Sequence, residues 1–125
     1  MQLDHLILAV NDVDESVRFY TDIMGMSHEG LRDPFTVIRV TPDLTLLLAP
    51  WGTAGGEHLA FALPKPDFEA AFARVKEAGM EFGDSFQSVG NMQGPGDEAG
   101  SRGDGKAVYF FDPSKHLIEI RHYEI

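Results

Sequence analysis

Apolar and polar positions follow the same pattern along two stretches of the chain. One begins at His5 and reads HLILAVNDVDESVRFYTDIMGM; the other begins at His58 and reads HLAFALPKPDFEAAFARVKEAGM. Both open with His-Leu, alternate as a strand, continue with helical spacing and end at a Gly-Met pair, at Gly25 and at Gly79. This internal repeat predicts two structural units of the same design.

Each repeat contains a predicted amphipathic helix. Asp12 and Glu15 have the spacing of a capping box at the start of the first helix, and Gly79 is placed as the C-terminal cap of the second. The predicted apolar stripes consist of Val13, Val17, Tyr20 and Met24 in the first helix and of Phe68, Phe72 and Val75 in the second.

Three more strand candidates follow each helix. They cover residues 27–32, 35–40 and 44–49 in the first repeat, and residues 80–87, 106–111 and 116–123 in the second. Each repeat therefore predicts a βαβββ module. We expect a single α+β domain in which module one (1–50), a linker (51–57) and module two (58–125) form a curved mixed sheet around a cavity, with the helices outside.

The first strand of each repeat has one bulky face and one face typical of a cavity wall. The bulky faces would pack under the helices. The opposite faces consist of His5, Ile7 and Ala9 in the first copy and of His58, Ala60 and Ala62 in the second. Because the two modules are repeats, we expect the two histidines to approach each other across the cavity.

The last strand, KHLIEIRHYEI, contains a carboxylate among apolar residues. Period-two alternation places Glu119 with Arg121 on one face, and His116 and His122 on the other, where a surface or helix-side position is expected. A buried unpaired carboxylate costs several kcal/mol, so Glu119 requires an arginine, water or a metal. With His5 and His58 it would form a facial triad for a divalent metal. A pairing of Glu119 with Arg121 and hydrogen-bonded core histidines are the alternative.

The composition excludes several classes of partner. Twenty acidic and ten basic residues give a formal charge of −10, with no Lys/Arg cluster, so nucleic acid and anionic membranes are not expected partners. The 125 residues include no cysteine, which excludes disulfides and thiolate chemistry. We expect a cytoplasmic protein.

The glycine-rich stretch 85–105 is expected to be a long loop, either a lid over the metal or a surface excursion.

The segments LDHLILAVNDVDESVRFYTDIMGM, EHLAFAL and YFFDPSKHLIEIRHY resemble the vicinal oxygen chelate superfamily over nearly the whole chain. This superfamily includes glyoxalase I, fosfomycin-resistance proteins, extradiol dioxygenases and bleomycin-resistance proteins. Lys115 or His116 stands where its ending usually has a turn glycine. The resemblance implies one divalent metal ion (Fe, Mn, Zn, Ni or Co) at His5, His58 and Glu119, a small-molecule substrate and a homodimer.

The resemblance leaves several reactions open. Glyoxalase I would need a glutamate where Leu47 or Leu48 stands, which argues against it. Tyr109 lies ten positions before Glu119, as in extradiol dioxygenases and fosfomycin-resistance proteins. The dioxygenases also use an acid–base histidine that the stretch 35–49 lacks. In fosfomycin-resistance proteins a threonine usually stands where this chain has Ile7.

From these comparisons we expect a metal-dependent enzyme in which the metal acts as a Lewis acid on a small oxygen-bearing substrate, as a lyase, isomerase or fosfomycin-resistance-like addition enzyme. An extradiol-type Fe(II) dioxygenase and a non-catalytic bleomycin-resistance-like binding protein are the alternatives, the latter favoured by the acidic charge. The expected catalytic residues are Tyr109 and Arg121, and the expected substrate-binding residues are Ile7, Ala60 and Arg102.

Overall fold

The computed structural model describes residues 1–124, and these form two compact units. The first unit ends at Gly55 and the second begins at Gly56, so the boundary falls inside the predicted linker. Among residues 1–124, helices that combine enough length with enough apolar character to span a membrane are absent.

The first unit contains a four-stranded mixed sheet and one helical segment. Its elements are β1 (His5–Ala9), α1 (Val13–Arg18) with a π-helical continuation (Phe19–Ile23), β2 (Ser27–Arg32), β3 (Phe35–Thr41) and β4 (Leu44–Ala49). The strand order is β1-β4-β3-β2, with β1 parallel to β4 and the other pairs antiparallel. The three strands predicted after the first helix are therefore confirmed.

The first helix begins where the sequence predicts, but its buried face differs. The Asp12 side chain accepts a hydrogen bond of 2.9 Å from the Glu15 backbone N–H, which is the N-cap half of the capping box. Beyond Arg18 the helix widens, and the Met24 N–H bonds to the Phe19 carbonyl, five residues back. Phe19 is buried in the core, whereas Val17 is only half-buried.

The second unit repeats the same order of elements. They are β5 (His58–Ala62), α2 (Lys65–Glu77), β6 (Gly96–Asp97), β7 (Lys106–Phe111) and β8 (Leu117–His122). The sheet order is β5-β8-β7-β6, with β5 parallel to β8. Two four-stranded mixed sheets in two βαβββ modules confirm the predicted α+β class.

Helix α2 follows its sequence signals closely. Phe68, Phe72 and Val75 are buried as predicted. The helix ends in a Schellman motif, in which the N–H of Gly79 bonds to Lys76 and the N–H of Met80 bonds to Val75. Gly79 has a φ of +68°, which favours glycine at this position.

The prediction of a strand at 80–87 is wrong, because these residues form no regular strand. Gly83 alone bridges to Tyr109 of β7, and the chain then folds back on itself. A Cβ at Gly83 would lie 2.0 Å from the Ser88 carbonyl oxygen, so the close approach requires glycine. The two-residue strand β6, inside the predicted loop 85–105, takes the edge of the sheet instead.

Candidate metal and substrate site

Three strands of the second unit bring predicted site residues onto one face of the sheet. In the β5–β8 pairing Ala60 lies beside Glu119, and in the β7–β8 pairing Tyr109 lies on the other side of Glu119. Neighbours in register project to the same face of a sheet. Glu119 therefore occupies the centre of this face, as the alternation in the sequence predicts.

Glu119 is buried, with 6% of its surface exposed, and each of its carboxylate oxygens has a partner. Oε1 lies 2.9 Å from Nε2 of His58, and Oε2 accepts a 2.7 Å hydrogen bond from Nη1 of Arg121. The charge-assisted bond to arginine offsets much of the cost of burying the carboxylate. The pairing with Arg121, which the sequence offered as the alternative, is therefore present, and the metal triad stays a prediction.

Arg121 is buried, and both of its terminal guanidinium nitrogens have hydrogen-bond partners. It is 3% exposed, and Nη2 donates a 2.6 Å hydrogen bond to the backbone carbonyl of Glu98 in the glycine-rich loop. Its guanidinium also lies 4.7 Å from the ring centroid of Tyr123, and the guanidinium of Arg102 lies 4.3 Å from the same ring. The loop is thus fastened to β8 through Arg121 and Tyr123.

A cleft of about 340 Å³ opens above Glu119. Its walls come from β5, β8 and the loop, and they include Ala60, Ala62, Arg102, Glu119, Arg121 and Tyr123. The small side chains of Ala60 and Ala62 leave space for this cleft, as the sequence predicts for the inner face of β5. Two guanidinium groups beside one carboxylate make the cleft suitable for a small anionic or oxygen-rich molecule.

The two tyrosines of the site differ in acidity. Burial and the negative charge of Glu119 raise the pKa of Tyr109 to about 12, so its phenol remains protonated at neutral pH and can donate a hydrogen bond. A hydrogen bond with the Ser101 side chain lowers the pKa of Tyr123, with help from the Arg102 backbone N–H and the positive charge of Arg121.

The donors of the second unit fit a divalent metal. Imidazole nitrogen and carboxylate oxygen bind first-row divalent ions at about 2.0–2.2 Å, so two such ligands at a right angle stand about 3 Å apart. The observed 2.9 Å between His58 Nε2 and Glu119 Oε1 agrees with this spacing. His58 is 46% exposed at its side chain, and Arg121 fixes the other carboxylate oxygen as an outer hydrogen-bond partner would.

The remaining predicted ligand, His5, lies on β1 in the first unit. Its Nδ1 is 2.7 Å from Oδ2 of Asp4, which leaves Nε2 available in the carboxylate–histidine arrangement typical of metal sites. Ile7, on the same face of β1, is 48% exposed. Taken separately, neither unit groups three His, Cys, Asp or Glu side chains closely enough to hold a metal among residues 1–124.

Of the other two histidines, His122 lies on the helix side as predicted, whereas His116 lies buried in the turn before β8 rather than at the surface or in the strand. The ring of His122 packs edge-on against Phe68 of α2, and Nδ1 of the buried His116 accepts a hydrogen bond from the Glu57 backbone N–H. Sequence reasoning missed the role of Tyr123. Its alternation with Glu119 and Arg121 indicates the face on which it lies, but not its contact with the loop.

Comparison with known proteins identifies the family. The model of the glyoxalase/bleomycin resistance protein/dioxygenase superfamily matches residues 2–120. The chain belongs to this superfamily. The fold is the vicinal oxygen chelate fold, and the superfamily includes metal-dependent enzymes.

Three relatives illustrate its range. The glutathione transferase FosA of Serratia marcescens is 25% identical over 94% of this chain and 78% of its own. A manganese-dependent 2,3-dihydroxybiphenyl 1,2-dioxygenase of Geobacillus genomosp. 3 is 28% identical over 97% of this chain, which spans only 36% of that enzyme. The solved structure of the oxidase ChaP-H1 is 28% identical and superposes with a TM-score of 0.82, covering 99% of this chain and 97% of its own.

Proposed function

We propose that this protein is a divalent-metal-dependent enzyme with His5, His58 and Glu119 as ligands. The single observation that supports this most strongly is the buried Glu119, held between Arg121 and the exposed imidazole of His58 at the floor of a cleft. The 2.9 Å between His58 Nε2 and Glu119 Oε1 suits a hydrogen bond and also suits two ligands of one ion, and the half-exposed ring leaves this position accessible to an ion. Bound there, the metal would act as a Lewis acid on the oxygens of a small substrate.

The chain's own residues would orient the ligands. Arg121 holds Oε2 of Glu119 and leaves Oε1 for the metal, and Asp4 holds Nδ1 of His5 and leaves Nε2. Such partners set the direction and basicity of a ligand, and losing one commonly weakens metal binding by about 10–100-fold. Arg121 is therefore a positioning residue rather than a group that reacts.

The substrate would enter between the small side chains of β5 and the loop. Arg102 contributes positive charge at the cleft, and Ala60 keeps the space beside Glu119 open. Tyr109 is protonated at neutral pH, so it can donate a hydrogen bond to a substrate oxygen. The loop segment that carries Arg102 is fastened to Arg121, and its release would open the cleft as the predicted lid.

We also infer a homodimer. Large apolar side chains of the first unit are exposed, among them Leu3, Ile7, Leu31 and Trp51. Isolated apolar residues are ordinary on a surface, but several on one small unit favour coverage by a second copy. Sedimentation equilibrium at low protein concentration tests this, and a monomer of 13.8 kDa would contradict it.

Oxidative chemistry is a second candidate. The manganese-dependent dioxygenase and ChaP-H1, an oxidase, are both 28% identical to this chain over the aligned residues. Two histidines and one carboxylate with open positions are also the ligand set of non-haem iron oxygenases. A non-catalytic binding protein is the third hypothesis, and the feature that favours it is the acidic charge of −10.

A pair of assays separates these functions. The protein loaded with Mn²⁺ or Fe²⁺ is assayed for oxygen consumption with 2,3-dihydroxybiphenyl and for formation of a glutathione–fosfomycin adduct. Arg102→Met removes one of the two guanidinium groups of the cleft, and Arg18→Met, an exposed arginine of α1, is the control. Turnover that is reduced by Arg102→Met alone supports the enzyme. If the metal-loaded protein binds both probes but turns over neither, the enzyme hypothesis is replaced by that of a non-catalytic binding protein.

A further inference from the structure

The second unit contains another cleft on the side of its sheet that faces away from Glu119. On β8, His122 alternates with Arg121, and its ring lies 4.9 Å from the ring of Phe68 on α2. The cleft beside this pair has a volume of about 620 Å³. Its walls come from α2, β7, β8 and the loop before β7. This size is within the range of small-molecule sites.

The buried ring nitrogen of His122 is the first observation that indicates a ligand in this cleft. Its side chain lines the cleft and is 4% exposed, and Nδ1 is buried without a hydrogen-bond partner among residues 1–124. Burying a polar nitrogen without a partner costs about 1–3 kcal/mol. A ligand that hydrogen-bonds to this imidazole would recover that cost.

The charge of the lining indicates the sign of the ligand. Five carboxylates line the cleft: Glu69, Asp97, Glu98, Asp104 and Glu124. Two lysines oppose them. Lys106 is paired with Asp97, and Glu124 accepts a hydrogen bond from the Lys65 backbone N–H. The excess of negative charge favours a cation.

The apolar part of the lining distinguishes an organic cation from a metal ion. Phe68, Pro95 and Ala99 form part of the wall. Among the described residues of the second unit, 56–124, the carboxylates of this cleft do not gather with each other or with His122 into a group of three that could hold a metal ion. Carboxylates next to an aromatic ring and an alanine instead suit an ammonium group carried on an apolar body, because ammonium groups bind both carboxylates and aromatic faces.

We propose that this helix-side cleft is a second ligand site, which takes a small organic amine with an apolar substituent. The ammonium group lies among Glu69, Glu98 and Asp104, and the apolar part packs against Phe68 and Pro95. The site is distinct from the metal site, because no residue of the proposed triad lines it. Ala99 lines both clefts, so an occupant of the helix-side cleft contacts the loop that also borders Glu119.

Phenethylamine is the probe, and 3-phenylpropionate and 2-phenylethanol are its anionic and neutral counterparts. They are titrated into the full chain, and amide and imidazole signals are followed by nuclear magnetic resonance. We expect saturable shifts of Phe68, Ala99 and the His122 ring with phenethylamine, at a dissociation constant of about 1 mM or tighter. The anion should produce no saturable shifts, and His58 should not respond.

Substitutions that remove exposed carboxylates of the cleft test whether these groups bind the ammonium group. The double variant Glu69→Gln, Asp104→Asn should weaken phenethylamine binding about tenfold. Glu77→Gln, an exposed glutamate on the same helix, should leave it unchanged. Equal binding of 3-phenylpropionate, shifts centred on Glu119, unchanged affinity in the double variant or the absence of saturation would each overturn the proposal. None of these outcomes depends on the metal site.

Discussion

Arg121 and Glu119 form a buried ion pair, in which Nη1 donates a 2.7 Å hydrogen bond to Oε2. Removing one partner of such a pair leaves a buried charge without its counterion, at a cost of about 3–5 kcal/mol. We therefore predict that Arg121→Leu lowers the free energy of unfolding of the metal-free protein by about 3 kcal/mol. Urea denaturation measures this change.

A double-mutant cycle isolates the pair. Because Glu119→Leu removes the charge that Arg121→Leu would strand, the double variant should be less destabilised than the sum of the single variants, by about 1–3 kcal/mol. Arg39→Leu with Glu29→Leu, an exposed arginine–glutamate pair of the first unit, is the control, and its coupling should be much smaller because solvent screens the two charges. Additive effects at Glu119 and Arg121 would show that the pair is not coupled.

Tyr109 and Tyr123 should titrate on opposite sides of the usual tyrosine pKa of about 10. Burial beside Glu119 raises the pKa of Tyr109 to about 12, whereas hydrogen bonds and Arg121 lower the pKa of Tyr123. In metal-free protein, Tyr123→Phe should remove phenolate absorbance that appears below about pH 10, and Tyr109→Phe should remove absorbance only well above it. Identical titration curves for the two variants would contradict this account of the cleft.

Gly100 keeps the loop against β8. A Cβ at this position would lie 2.3 Å from Tyr123 Oη and 2.4 Å from Arg121 Cζ. Since Arg121 is fixed on two sides, we predict that Gly100→Ala displaces the loop and costs about 1–3 kcal/mol of stability. Hydrogen exchange should show faster exchange of the Gly103 amide, which bonds to the Gly100 carbonyl.

Ser101→Ala is the comparison variant for this loop, because it removes one hydrogen bond with Tyr123 but adds no atom next to Arg121. Its Gly103 amide should exchange more slowly than that of Gly100→Ala, and the pKa of Tyr123 should rise because the Ser101 hydrogen bond is lost. Unchanged exchange in Gly100→Ala would mean that the loop does not depend on its contact with Arg121 and Tyr123.

Local periodicity predicted much of this fold and part of the site. The alternation along β8 placed Glu119 and Arg121 on one face and His122 on the other, because side-chain direction in a strand depends only on parity. The helix boundaries followed from Asp12 and Gly79, whose capping roles are local.

The features that the sequence did not predict depend on contacts between distant segments. The apolar pattern at 80–87 is compatible with a strand, but Gly83 and Gly96 let other backbone segments approach too closely for regular pairing there. A Cβ at Gly96 would lie 2.3 Å from the Asp84 carbonyl oxygen. The place of Tyr123 between Arg102 and Arg121 likewise depends on the path of the loop, which no local pattern encodes.

The metal content of the purified protein, with His5→Ala, His58→Ala and Glu119→Ala variants beside it, tests the central claim most directly. Elemental analysis after incubation with Mn²⁺, Fe²⁺, Co²⁺, Ni²⁺ and Zn²⁺ should find about one ion per chain in the wild type and in the control His28→Ala, an exposed histidine of β2. Each triad variant should retain little or none. A wild type without metal, or triad variants that hold as much as His28→Ala, would contradict the proposed metal site.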